Sequence, residues 1–325
     1  MRIAVVWNDD HTGVINRFGQ PCRQEFGRET VKSMAAVLQE GGHETLVCQG
    51  DKGLLATLEQ FMPPRPNARP SGIVFNMSYG IQGECRLTHV PAMLEMAGVP
   101  YTGSGPLGHG LTLDKVITKR LICALGVPTP NFRVMRRGTE STGSLRFPMV
   151  VKPRHESDSC GVQLVHEPAQ LRQAVDVIVT QYAQEALVEE YIEGREITIA
   201  LLGNRELEVL PLVEQDFGDH KARLLTRGAV AAAKRICPVK IGSKLATRLR
   251  DISIATFRAC HCRDYARVDL RIDRSGQPFV LEINSMPGLG MRGPYVLAAT
   301  TAGYSFSSLV NRILDIAYTR SFDIH

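Results

Sequence analysis

Apolar residues along this 325-residue chain repeat with two different periods. Short runs such as Ile3-Ala4-Val5-Val6-Trp7, Gly72-Ile73-Val74-Phe75-Asn76 and Met149-Val150-Val151-Lys152-Pro153 have the length and β-branched content of buried strands. Residues 28–40 instead place Val31, Met34, Ala35 and Leu38 on one helical face, and Gly41-Gly42 ends the pattern. A strand at 46–48, a proline-rich connector at 63–70, a helix at 91–96 and a strand at 99–101 continue the alternation. Strands alternating with helices in this way predict a doubly wound parallel sheet over residues 1–107. A second region, 108–185, reads as helix 113–125, strand 149–153, a polar loop at 154–161, strand 162–165 and helix 169–182. The third, 186–325, reads as strands 186–190, 196–202 and 207–213 and a helix at 244–260. A hairpin of strands 266–272 and 278–283 follows, turning at Asp273-Arg274-Ser275-Gly276, and a helix at 307–317 closes the chain. The expectation is a multidomain α/β (α+β) chain without internal repeats.

Composition narrows the function classes. Apolar residues at 44% and charged residues at 22% describe an ordinary soluble globular protein. The net charge of +5 is mild, and the densest basic stretch, around Arg133, Arg136 and Arg137, is short and loop-like, so nucleic acid is not expected as a partner. The first apolar run is too short for a signal peptide, and no run is long enough to span a bilayer. A cytoplasmic protein with no membrane partner is expected. Its eight cysteines are scattered and read as reduced, mostly buried thiols. Cys260-His261-Cys262 lacks the spacing of a closed zinc site.

The hairpin carries the strongest chemical signal. Alternation along a strand puts Arg267, Asp269 and Arg271 on one face, and Glu282 and Asn284 on one face of the returning strand. Two carboxylates and an amide oxygen are hard ligands suited to magnesium, and an adjacent arginine suits developing negative charge. The plain alternative is a solvated hairpin with a salt bridge. Against it stands Ser285-Met286-Pro287-Gly288-Leu289-Gly290, a glycine-rich turn able to bring backbone N–H groups to an anion. Lys152 ends an apolar strand, where an unpaired ammonium is costly and a phosphate would offset that cost. Lys115, taken alone, reads as a surface lysine. Gly103-Ser104-Gly105-Pro106-Leu107-Gly108 matches the dinucleotide pattern, but Pro106 removes a donor and no acidic residue follows at the required distance. The G-x-x-x-x-G-K-[ST] loop is absent, so a nucleotide site here needs another design.

Arg267-Val268-Asp269, Leu281-Glu282-Ile283-Asn284 and Pro287-Gly288-Leu289 together resemble the C-terminal signature of D-alanine–D-alanine ligases of the ATP-grasp superfamily. Val74-Phe75-Asn76, Met93-Leu94-Glu95, Pro100-Tyr101-Thr102-Gly103-Ser104, Asp114-Lys115, Val151-Lys152-Pro153 and Val188-Glu189-Glu190-Tyr191 with Gly194-Arg195-Glu196 fall in that family's order. The resemblance implies an ATP-grasp fold behind the parallel-sheet domain, and a homodimer. It places ATP between the second and third regions. Lys115, Lys152 and Arg223 would meet its phosphates, the stretch with Glu189, Glu190 and Ile192 its base and Glu196 its ribose, with Ser159, Phe217 and Leu281 as further ATP contacts. Asp269, Glu282 and Asn284 would hold two Mg2+, with Mn2+ an alternative. The implied reaction phosphorylates a carboxylate and joins it to an amine, with Arg267 and the Gly288 N–H holding the oxyanion and Glu25 the first substrate's ammonium. Glu29 competes with Glu25 for that role.

The departures from the family pattern gather on the substrate side. Ser157-Asp158-Ser159 stands where glycine and two serines are usual, and Arg223-Leu224 where lysine and tyrosine are usual. Tyr79-Gly80 replaces a histidine-glycine pair, and Met291-Arg292-Gly293-Pro294 replaces a Ser-Leu pair that takes the second substrate's carboxylate. Two readings stay open for these small-molecule substrates: other amino acids or carboxylates, or D-alanine itself in a divergent enzyme. A nucleotide-binding regulatory protein without catalysis is the reading from another class; retention of Arg267 argues against it.

Overall fold

The computed structural model describes the whole chain except residues 10–12, 18, 25, 66–67, 219–233 and 323–325. Its first region alternates β1 (Arg2–Trp7), α1 (Arg28–Glu40), β2 (Glu44–Gln49), α2 (Leu54–Phe61), β3 (Gly72–Asn76), α3 (His89–Met96) and α4 (Pro106–Leu113). The sheet is parallel, in the order β2-β1-β3. Val31, Met34, Ala35 and Leu38 are the buried face of α1, as the helical period predicts. The strand expected at 99–101 is reduced to a single bridge: Val74 N–H donates to Pro100 O at 2.8 Å, Thr102 N–H returns to Val74 O at 2.9 Å, and Gly103 then turns away at φ +94°. Pro100 has no N–H with which to extend a ladder.

The helix expected at 113–125 is present but starts at Lys115, and Leu113 instead ends α4, a helix that was not expected. Asp114 adopts an extended backbone and caps α5 (Lys115–Ala124), its carboxylate accepting from Val116 N–H at 3.0 Å and Ile117 N–H at 3.1 Å. Then come β4 (Phe132–Met135), β5 (Met149–Pro153), β6 (Gln163–Val165), α6 (Pro168–Tyr182) and β7 (Ala186–Glu190), forming an antiparallel sheet in the order β4-β7-β5-β6. Arg133, expected in a loop, lies in β4 opposite Val188. Since β7 pairs with β4 and β5, this sheet extends to Glu190, past the boundary expected at 185.

The third region contains β8 (Gly194–Gly203), β9 (Leu207–Val209), β10 (Val213–Asp216), β11 (Lys234–Ile236), α7 (Ser243–Ala259), β12 (Tyr265–Asp273), β13 (Pro278–Asn284), α8 (Pro294–Thr301) and α9 (Phe306–Phe322). Its sheet runs β11-β10-β8-β12-β13, with β9 on β8. The strand expected at 207–213 is interrupted around Pro211, which lacks a ladder donor. Strand alternation lets β8 serve two cores. Ile197, Ile199 and Leu201 pack with Leu249 and Phe257 of α7, while Ala200 and Leu202 join β1, α1, α8 and α9. Asp264 ties these layers together, accepting from Gly103 N–H at 2.8 Å, Asn204 Nδ2 at 3.0 Å and Arg320 Nε at 2.9 Å. All eight cysteines are free; Cys85 and Cys123 are exposed, so burial is less general than expected. Among the described residues no helix is long and apolar enough to cross a membrane.

Candidate active site

The β4-β7-β5-β6 sheet and the β8-β12-β13 strands face each other across a cleft with about 720 Å³ of empty volume. Lys115, Lys152, Ser159, Glu189, Glu190, Ile192, Glu196, Leu281, Asp269 and Glu282 all line it. Lys115 begins α5 and is buried rather than on the surface, with its ammonium on Glu156 O and 3.5 Å from Glu282. Burial alone would lower the Lys152 pKa; Glu189 at 2.6 Å and Glu282 raise it, so the side chain stays cationic. Glu189 is held between Lys152 and Lys119, the latter at 2.8 Å. Burial would raise its pKa, and the two lysines bring it below the usual range. Lys119, one helical turn beyond Lys115, was missed in the sequence, though the four-residue spacing on one helix was a usable signal.

Alternation along β7 sends the next carboxylate elsewhere. Glu190 accepts from Asn131 Nδ2 at 3.0 Å and Arg146 Nε at 3.1 Å. Both carboxylates expected at a base are therefore already engaged. Glu196 is buried 3.8 Å from Arg271, whose guanidinium stacks 4.7 Å from the Tyr191 ring centroid. Burial raises the Glu196 pKa to about 7; Arg271 pulls it down, while Asp269 and Glu282 add to the rise. Phe217, just after β10, does not line the cleft, and Arg223 and Glu25 lie outside the described residues.

A second chamber adjoins the first, sharing Lys115, Ser157 and Glu282. The β12–β13 register opposes Arg267 to Asn284 and Asp269 to Glu282, followed by an irregularity after Asp269. Asp269 accepts from Arg267 Nη2 at 2.7 Å, Asn284 Nδ2 at 3.0 Å and Thr198 Oγ1 at 2.9 Å. Burial, with Glu282 beside it, raises the Asp269 pKa even against Arg267; for Glu282, Lys115, Lys152 and Arg267 overcome burial and lower it. Tyr79 stacks on Phe26 with centroids 4.9 Å apart and donates to Met286 O at 3.2 Å. Gly288 lies on the same wall. Glu29, Arg292 and Gly293 are not gathered here; they line a separate open pocket with Thr30, Ser33 and Met291.

The loop at 154–161 lies over both spaces and is fastened at its base. Arg86 donates to His155 O and Glu156 Oε2, both at 3.1 Å, and Arg154 bonds Asp114 at 2.6 Å and Glu185 at 2.5 Å. Asp158 and Ser159 both have positive φ, at 53° and 55°, so the loop turns sharply where it passes between the two spaces. Asp158 has no ion pair among the described residues. The glycine run at 103–108 has a packing role: Gly103 N–H bonds Asp264, Pro106 opens α4, and a Cβ on Gly108 would meet His261 O at 2.6 Å.

No group of three His, Cys, Asp or Glu side chains converges for a metal among the described residues. Asp269, Glu282 and Asn284 nonetheless fit a hard cation that keeps ligand positions for phosphate oxygens and water.

The family model for the D-ala D-ala ligase C-terminus matches residues 121–315. The chain is 31% identical to the D-alanine–D-alanine ligase of Desulforudis audaxviator, over 93% of this chain and 97% of that one. It is 70% identical to protein y4sG of Sinorhizobium fredii, over 99% and 98% of the two chains. The fold matches the crystal structure of D-alanine–D-alanine ligase from Bacillus anthracis complexed with ATP, with a TM-score of 0.77 at 23% identity and 99% coverage of both chains.

Proposed function

The chain belongs to the D-alanine–D-alanine ligase family of ATP-grasp enzymes, which form C–N bonds, and from that premise we propose that it joins an amino-acid pair other than two D-alanines. The observation that carries this reading is a contrast within one chamber. Arg267, Glu282 and Asn284 line it in family order, with Asp269 of the adjoining cleft bonded to Arg267 and Asn284, while Tyr79 and Asp158, which has no ion pair among the described residues, line the same chamber.

In this reading Lys115 and Lys152 bind the ATP phosphates, the 157–161 amides cover them, and the 190–192 backbone meets the base. Asp269, Glu282 and Asn284 would hold Mg2+, two ions with Mn2+ an alternative, which would offset repulsion between the triphosphate and an approaching carboxylate. One oxygen of the first substrate's carboxylate attacks the γ-phosphorus and ADP leaves, giving an acyl phosphate. The second substrate's amine attacks the acyl carbon, the bond to the phosphate oxygen breaks, and the nitrogen loses a proton. Arg267 and the Gly288 N–H stabilise the tetrahedral oxyanion. Glu25 would take the first substrate's ammonium, whereas Glu29 and Arg292, in their separate pocket, are left out of the substrate set. The proposal also includes a homodimer working in the cytoplasm.

The test is ADP release from Mg–ATP with amino acids offered singly and in pairs. Release that requires both an acid and an amine, with little from D-alanine alone, supports the reading. The 31% identity to the Desulforudis audaxviator enzyme favours a second reading, a true D-alanine–D-alanine ligase, and a marked preference for D-alanine would establish it. Tight ATP binding with no turnover on any pair would rule out both.

A further inference from the structure

One polar cluster beside the chamber is unused by this chemistry. His109, in the middle of α4, is completely buried and makes no ion pair among the described residues. Its Nδ1 lies 2.8 Å from Ser285 Oγ, and Ser285 Oγ lies 2.7 Å from Thr112 Oγ1. Thr112 Oγ1 is also 2.9 Å from Gly108 O, an acceptor that can only receive. That last contact sets the direction of the chain. The Thr112 hydroxyl donates to Gly108 O, so it accepts from the Ser285 hydroxyl, and Ser285 in turn accepts from His109 Nδ1–H. Nε2 is left as an acceptor without a partner among the described residues, a buried atom that an apolar residue would not strand. Core packing therefore does not account for an imidazole at this place.

Its position does. Ser285 follows Asn284 and precedes the turn that carries Gly288, and Tyr79 holds the other side of that turn through Met286 O. We propose that His109 is a positioning residue which, through Ser285 and Thr112, holds the 284–288 segment so that the Asn284 side chain and the Gly288 N–H face the reacting atoms. The inference rests on the ligase reading above. The grip is made by α4, whereas the Asp269–Glu282 pairing is made within the hairpin, so the two can be perturbed separately.

His109→Leu removes the donor at similar bulk, and His109→Asn restores a donor where Nδ1 stood. His109→Leu and Ser285→Ala should each lower kcat roughly 10- to 100-fold, the scale of a displaced catalytic group, with the KM for ATP within about twofold of wild type. His109→Asn should recover most of that rate, and the double variant should lose no more than either single one. Hydrogen exchange across 284–290 should quicken in His109→Leu and Ser285→Ala but not in His109→Asn; this readout needs no substrate. If His109→Leu does not fold, Ser285→Ala and His109→Asn still make the comparison. Unchanged kcat in Ser285→Ala, or a loss that His109→Asn fails to recover, would overturn the proposal. Wild-type protein with no turnover would sink the ligase reading instead, leaving the exchange pattern to decide whether the grip exists.

Discussion

Each carboxylate read as a metal ligand already faces a cation: Lys115 stands 3.5 Å from Glu282 and Arg267 2.7 Å from Asp269. Glu282→Gln should therefore abolish ADP release with little change in melting temperature; wild-type turnover would remove Glu282 from the metal set. Arg267→Ala should reduce kcat roughly 10²–10³-fold, the usual effect of losing one oxyanion donor, with ATP affinity near normal. The structure adds a second consequence, because Asp269 would lose its guanidinium in a buried place. The variant's melting temperature should fall without metal and recover when Mg2+ is added; a loss indifferent to metal would contradict the assignment. His109 gives a pH prediction. Burial first, and Arg263 second, lower its pKa from 6.5 to about 3. The unfolded chain then takes up a proton near pH 6.5 that the folded chain refuses until about pH 3. This contribution to stability is whole above pH 6.5 and falls as the pH drops through that window, by up to about 1.4 kcal/mol per unit. His109→Asn should lack this part of the acid slope in melting curves taken between pH 7 and pH 5.

At the scale of elements, what was legible followed from period and punctuation. The α1 face and the β1, β3, β5 and β7 strands could be read because their apolar runs are long or strictly spaced and end at polar or glycine residues. Short pieces were not. β4, β11, α2 and α8 are stabilised by neighbours distant in sequence and carry little pattern of their own. The start of α5 depends on the Asp114 cap and on Arg154, forty residues away, so the apolar spacing alone began that helix two residues early, at Leu113 of α4. Asp264 has the same kind of hidden importance. It is fully buried in a left-handed conformation and accepts from Arg320, Asn204 and Gly103. Asp264→Ala should cost about 3–5 kcal/mol, the range for breaking a buried charge pair, measured by urea unfolding. A cost below about 1 kcal/mol would show that the hub is not holding the layers.

For the whole molecule, the motifs proposed for phosphate and metal chemistry were readable because each is contiguous, and the fold gathers them from three regions into adjoining spaces. The substrate side could not be read so far. Its walls pair side chains from separate segments: Phe26 with Tyr79, Asp158 beside Arg267, and Arg292 in a pocket of its own. Only assembly shows which of them face each other. The central claim is that a carboxylate is phosphorylated and then captured by an amine. Turnover with Mg–ATP and an amino-acid mixture labelled with 18O in its carboxyl groups tests it most directly. The account predicts one 18O transferred to inorganic phosphate for each new amide, in a product other than D-alanyl-D-alanine. Amide formed with unlabelled phosphate, or ATP cleaved to AMP, would contradict it.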